Sequence, residues 1–300
     1  MKQVFTLILF TWLVFFAPFM VSAEEEIDVE LNLRSGESAY TFFDLTHGEA
    51  TLIENAKGEK TLIDTGHRLS QDELFERLGM YHVSDIDRII ITNKQAEYTG
   101  NLQEVIDRYD VKEVSIPKAM SEDLAPILFA SDITVDPFET KDDLYVMEGV
   151  MAHVLFVETR PGIHEGASVL LFDNTDKKLL FMSVADYQVE TFITENYNIK
   201  STVLKVAEFA SERGTSQKLL DEADPQVAVI FQNDDELPSP FVLERLQGTW
   251  IEIFQTSRTG TVSIKWNDED YEIFTIRPAE KEQLEQMADR LKGFFGFKAQ

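Results

Sequence analysis

From about residue 38 onward the chain alternates short apolar runs with stretches of helical periodicity. AYTFFDL (39–45), ATLIENA (50–56) and KTLIDTG (60–66) read as three consecutive strands, and Lys57-Gly58 supplies a hairpin turn between the last two. Over 70–80, Leu74, Phe75 and Leu78 share one helical face and Gly79 stands near the end. DRIIIT (87–92) is a continuous β-branched run, the pattern of a strand buried on both faces. Leu102, Val105, Ile106 and Tyr109 then recur at helical spacing, and VKEVSIP (111–117) completes a strand–helix–strand unit.

The second half repeats this theme. HVLFVE (153–158), SVLLFD (168–173) and KLLFMSV (178–184) read as three more antiparallel strands. A helix from about Asp186, a strand over 201–207, a helix over 215–222, a strand over 226–231 and a helix over 241–247 follow. Strands at 261–266 and 271–276 precede a last amphipathic helix carrying Leu284, Met287, Ala288 and Leu291. Two halves that each mix hairpins with helix-flanked strands predict two packed sheets covered by helices. The expected fold is therefore α/β (α+β), a four-layer αββα sandwich of two mixed sheets. No Pro/Gly-rich linker interrupts the middle, so one domain is expected over 38–276, with an acidic lead-in at 24–37 and a C-terminal helix and tail at 277–300.

The first residues, MKQVFTLILFTWLVFFAPFMVSAEEE, depart from this pattern. Lys2 gives a short basic end, Val4–Val21 an apolar run, and Val21-Ser22-Ala23 a small-residue cleavage pattern, which together read as a secretory signal over 1–23. The alternative is an uncleaved anchor formed by residues 4–21, whose length approaches that of a membrane span. Either reading places the remainder outside the cytoplasm.

Composition narrows the chemistry. There are 54 acidic and 27 basic residues, a formal charge of −27. A surface so negative repels nucleic-acid phosphates and anionic headgroups, so no nucleic-acid partner is expected, and membrane contact only through the N-terminal segment. Cysteine is absent, which removes thiol catalysis, disulfides and thiolate metal ligands.

FFDLTHGEATLIENAKGEKTLIDTGH (42–67) resembles the opening of the metallo-β-lactamase fold, in the version found in the hydrolase domain of ComEC-type DNA-uptake proteins. Asp44, Gly48, Asp64, Thr65 and Gly66 match that opening, while Glu49 stands for an aspartate and His47 for a glutamine. DRIIITNKQAEYTGNL falls on the family's Thr-His-x-His-x-Asp-His metal motif and LFMSVAD on its Gly-Asp segment. VLKVAEFASERGTS falls on Leu-Lys-Val-x-His-His-Gly-Ser, and TSRTGTVSIKW on the closing hairpin.

The resemblance implies one or two zinc ions that activate water. Carried over residue by residue, however, it places the motif histidines at Asn93, Gln95 and Tyr98, with Glu97 in the aspartate position. Val184 falls on the bridging aspartate, with Asp186 two residues late. Glu208 and Phe209 take the places of the paired histidines, and Ser239 that of the histidine before Pro240. Amides bind zinc weakly, and valine and phenylalanine cannot bind it. The expectation is a pseudoenzyme without cofactor, whose cleft, lined by Asp44, His47, His67 and Lys94 together with Tyr98 and Phe209, receives a protein or small-molecule partner. The alternative is a metal-dependent hydrolase in which Asp64, Glu97, Asp186 and Glu208 hold calcium, magnesium or manganese through oxygen.

Overall fold

The computed structural model describes residues 28–277 apart from 130–132, 175–176 and 268–269. The expected signal over 1–23 and the helix carrying Leu284 to Leu291 lie outside the described residues.

Two sheets form, and their edges follow from the apolar patterning. The first runs β15 (Tyr271–Ile276), β14 (Thr261–Trp266), β1 (Ser38–Phe42), β2 (Thr51–Asn55), β3 (Lys60–Ile63), β4 (Arg88–Ile90), β5 (Glu113–Pro117) and β6 (Thr134–Phe138). The second runs β13 (Glu252–Gln255), β12 (Val227–Ile230), β11 (Val203–Lys205), β10 (Lys177–Met182), β9 (Ser168–Asn174), β8 (Val150–Val157) and β7 (Asp143–Met147). Each sheet is mixed: β3 to β6 and β10 to β13 pair in parallel, the remaining neighbours antiparallel. The hairpin expected at Lys57-Gly58 joins β2 to β3, where the Gly58 amide donates to the Asn55 carbonyl at 3.0 Å.

Side chains alternate between two buried faces, which is why the central strands read as unbroken apolar runs. Tyr40, Phe42, Ile53, Ile63 and Ile90 of the first sheet meet Leu170, Phe172, Leu179, Phe181, Val203 and Val229 of the second in one inter-sheet core. The intervening residues Leu52, Leu62, Ile89 and Ile91 face outward onto Leu74 and Leu78 of the helix Gln71–Met80 and Leu102, Val105 and Ile106 of Leu102–Arg108. Leu180, Leu204, Ala228 and Ile230 likewise face Val189 and Ile193 of Tyr187–Asn196, Leu219 and Leu220 of Gln217–Ala223, and Val242 and Leu246 of Pro240–Gln247. Three apolar layers separating helices, sheet, sheet and helices give the expected four-layer sandwich.

The differences from the sequence expectation are local. The helix Ser121–Leu128 and the strands β6, β7 and β13 add to the expected elements, and all three strands lie at or next to a sheet edge. At the corner after β4, a single turn over Ala96–Thr99 precedes the longer helix, so Gly100 closes one turn before the other begins.

Candidate functional site

The parallel strands deliver their C-terminal ends to one side of the sandwich, the side where open α/β sheets place their ligands. Asp64 follows β3, Thr92 and Asn93 follow β4, Ser183 follows β10, and Glu208 follows β11. The sheets are tied together here. The Thr92 carbonyl accepts from the Ser168 amide at 2.9 Å and from its hydroxyl at 3.0 Å. The Thr92 hydroxyl donates to Asp64 Oδ2 at 2.6 Å and accepts from Ser183 Oγ at 2.7 Å. Asp64 Oδ1 accepts from the Thr92 amide at 2.8 Å, and burial pushes this carboxyl well above the usual carboxylate range.

Beside this network lies an ion pair between Glu49 and Lys205, both wholly buried. The Lys205 ammonium donates to the Met182 carbonyl at 2.9 Å and lies 4.8 Å from the centre of the Phe181 ring. It also sits 5.7 Å from each of the Tyr98 and Phe231 rings. The ring faces supply negative potential to a cation cut off from water. Burial raises the Glu49 carboxyl to about 7, against the opposing pull of Lys205. Neither residue appears among the site positions inferred from the sequence, although a lysine inside the buried strand VLKVA was a visible signal.

The positions on which the resemblance places metal ligands make other interactions. Asn93, also buried, donates its amide nitrogen to the Ser183 carbonyl at 2.9 Å and accepts the Gln95 amide at 3.1 Å. Tyr98 and Phe209 are buried with ring centres 6.4 Å apart, and Val184 is buried among apolar neighbours. Glu208 is 6% exposed. It accepts from the Ala185 amide at 3.1 Å and from Arg213 at 2.5 Å, with His164 Nδ1 at 3.3 Å. Asp186 turns away to cap the helix Tyr187–Asn196, accepting from Gln188 at 2.6 Å. The Ser239 amide donates to the Ala210 carbonyl at 3.0 Å, and its hydroxyl makes no hydrogen bond among the described residues.

This geometry bears on two sets of expected roles. Among the described residues no group of three His, Asp or Glu side chains is placed to hold a metal ion. Asp44 does not line a cleft either. It is 3% exposed and held by Arg77 Nε at 2.7 Å and Thr261 Oγ1 at 2.6 Å, an ion pair that ties the helix Gln71–Met80 to β14. Tyr98 and Phe209 pack inward for the same reason, the burial of their rings. The half-buried lip comprises His47, His67, Lys94, Gln95 and Glu97. The His47 and His67 rings stand 6.0 Å apart. His67 Nδ1 accepts from the Leu69 amide at 3.1 Å, and Lys94 is drawn to Glu165 at 2.9 Å and Asp123 at 3.3 Å.

The raised Glu49 carboxyl carries a pH dependence with a definite sign. Unfolded, its ordinary value is 4.5; folded, it is about 7. Between those values the folded chain holds a proton that the unfolded chain releases, so stability is full below 4.5 and declines as pH rises towards 7. Buried Asp64 and Glu190 and half-buried Glu54 are shifted in the same direction. The urea midpoint is expected to fall between pH 5 and pH 8, with Glu49 contributing at most about 3 kcal/mol. Glu49→Gln should flatten that slope; an unchanged slope in this variant would show that Glu49 does not titrate in the window.

With the geometry established, similarity to known proteins defines the class. The sequence profile of the metallo-beta-lactamase superfamily matches residues 44–232, and the chain belongs to that superfamily. Its sequence is 22% identical over 264 residues to ComE operon protein 3 of Bacillus subtilis (strain 168). That match covers 78% of this chain but 34% of the relative, so the chain spans about a third of that protein's length. Among solved structures, the metallo-beta-lactamase fold protein YhfI from Bacillus subtilis has a TM-score of 0.57 at 11% identity, covering 76% of this chain and 99% of YhfI. Igni18, a metallo hydrolase from Ignicoccus hospitalis, has 0.55 at 13%, covering 80% and 100%. CmlA from Streptomyces venezuelae, a diiron beta-hydroxylase, has 0.53 at 10%, covering 80% and 54%. These likenesses show the fold alone, and neighbours described by different chemistries make clear that the fold does not choose a reaction.

Zinc is the group the resemblance implies, and the residues present do not fit it. The positions on which the resemblance places ligands hold two amides, a phenol, a valine, a phenylalanine, a serine and two glutamates; the amide buried at the centre is bonded on both sides within the protein, and Glu208 is taken up by Ala185 and Arg213.

Proposed function

We propose that this protein is a pseudoenzyme of the superfamily, exported by residues 1–23 or tethered by residues 4–21, that acts by binding or scaffolding at the cell envelope. The observation that carries the reading is the filling of the metal corner by its own side chains. Asn93 is fixed between Ser183 and Gln95, Tyr98 packs against Phe209, and Lys205 lies over the Tyr98 ring. Bringing a metal-bound water to this point would require breaking those bonds and exposing a buried ion pair, which opposes catalysis and favours a fixed surface. The basic end, apolar run and small-residue pattern of residues 1–23 support an envelope setting, and the charge of −27 argues against nucleic acid as the bound partner. The ligand or partner is expected at the half-buried lip of His47, His67, Lys94 and Glu97.

Elemental analysis of protein recovered from medium and membrane fractions, with its N-terminus read by mass spectrometry, tests this. Less than stoichiometric zinc, manganese or calcium is expected, with a melting temperature unmoved by chelator, because a resident cation would stabilise the fold by mass action. Near-stoichiometric metal that falls in Asp64→Ala would overturn the reading and make the protein a metal-dependent hydrolase candidate. A chain retained in the cytoplasm with an intact Met1 would overturn its export.

A further inference from the structure

The opposite end of the second sheet carries a groove of about 860 Å³. It lies where β11, β12 and β13 begin, whereas the candidate site lies where the parallel strands end. Its volume falls in the range that encloses a small ligand. At its rim stands Trp250, fully exposed among the described residues, although an indole is among the largest apolar surfaces a protein can bury. The other tryptophan in the described chain, Trp266, is fully buried, as an indole in a sandwich core should be.

The lining behind Trp250 is polar without being charged overall. Lys200 pairs with Asp224 at 3.1 Å and Lys178 with Asp173 at 2.9 Å, so its two cations are already balanced. On a chain carrying −27, a groove with neutralised lysines does not suit a polyanion, and Asp221 is its lining carboxylate outside those ion pairs. What remains are groups that match hydroxyls. Asn198 accepts the Lys200 amide at 3.2 Å through Oδ1, and Gln226 accepts the Tyr271 hydroxyl at 3.0 Å through Oε1, so each leaves its NH2 to donate. Asp221 accepts from Gln217 at 2.8 Å through Oδ1, which leaves Oδ2 as an acceptor. Ser201 is 4% exposed, and its hydroxyl makes no hydrogen bond among the described residues. A buried hydroxyl without a partner is costly, and a ligand hydroxyl would satisfy it.

We propose that this groove binds a neutral oligosaccharide. One pyranose ring stacks its C–H face on Trp250, and its hydroxyls bond to Asn198, Gln226, Asp221 and Ser201. A sugar is the ligand class that combines a flat apolar face with many neutral groups that both donate and accept, which is the combination this groove offers.

The two indoles make the test direct. In a Trp12→Phe background of the full chain, Trp250 is the exposed emitter and Trp266 the buried one. An array of neutral oligosaccharides identifies bound sugars, and titration with maltotriose and triacetylchitotriose follows Trp250 emission. Expected is a saturable blue shift with a midpoint on the order of millimolar or below. Trp250→Ala should abolish array binding while leaving the melting temperature unchanged, because the indole supports nothing in the fold. Ser201→Ala should weaken binding by roughly three- to ten-fold through the lost hydroxyl bond. No Trp250-dependent signal across the array, or binding that survives Trp250→Ala, overturns the proposal. Trp250-dependent binding to neutral lipid vesicles without any sugar response also overturns it, and would make the indole a membrane-interface anchor.

Discussion

Lys205→Met is expected to remove about 3–5 kcal/mol of stability at pH 8, the range for breaking a buried ion pair from one side. Lys205 is wholly buried, and its removal strands Glu49, whose two oxygens have no hydrogen-bond donor among the described residues apart from that ammonium contact. In a chain this size the loss corresponds to a drop in melting temperature on the order of 10 °C. Glu49 is already shifted to about 7, so a stranded carboxyl has an escape: it takes up a proton. The loss should therefore be smaller at pH 5.5 than at pH 8. Adding Glu49→Gln should recover part of the stability, because the double variant no longer buries a lone charge. Equal losses at both pH values would show that the pair is not held as an isolated buried charge couple. A fully additive double variant would show that the two side chains are not energetically coupled.

Gly48→Ala should be the other severe substitution, at about 3 kcal/mol or more, through backbone strain and collision together. Gly48 has φ +88°, and a Cβ built there lies 2.3 Å from the Glu97 carbonyl oxygen and 2.4 Å from the His67 amide nitrogen. Both are backbone atoms, so no side-chain rotation relieves the contact. The collision falls where chain segments are stitched together: the Glu49 amide donates to the Glu97 carbonyl at 2.9 Å, and the His67 amide donates to the His47 carbonyl at 3.2 Å. Chemical denaturation of the variant measures the loss, and hydrogen exchange at Glu49 and His67 locates it. A loss under about 1 kcal/mol would mean that these segments part easily, and that the lip is softer than its bonding implies.

The architecture was largely legible because the central strands are buried on both faces. Ile89, Ile90 and Ile91, or Leu179, Leu180 and Phe181, leave no polar residue to mask the pattern. The elements that escaped notice lie towards the edges, where burial stops dictating composition. TVDPF, which becomes β6, carries a proline and an aspartate, and both are tolerated there because an edge strand has a side without a ladder partner. Glu252–Gln255 is short and only half-buried. At the site, the residue types that the resemblance places on ligand positions could be read from the sequence alone. What filled them could not, because the Glu49–Lys205 pair joins residues distant in sequence and the capping role of Asp186 depends on which way its side chain turns.

The pairing of β1 has a consequence for how the chain matures. β1 sits between β2 and β14, with Ser38 opposite both Asn55 and Trp266. One of its ladders forms from near neighbours, whereas the other waits for residues more than two hundred positions downstream. During synthesis, β1 and β2 can pair early while the outer rim of β1 stays open. Until Thr261–Trp266 emerges, that rim is an unpaired template bordering the inter-sheet apolar layer. The closing hairpin of β14 and β15 thus acts as the last latch, and a nascent or prematurely ended chain is most exposed to mispairing along this seam.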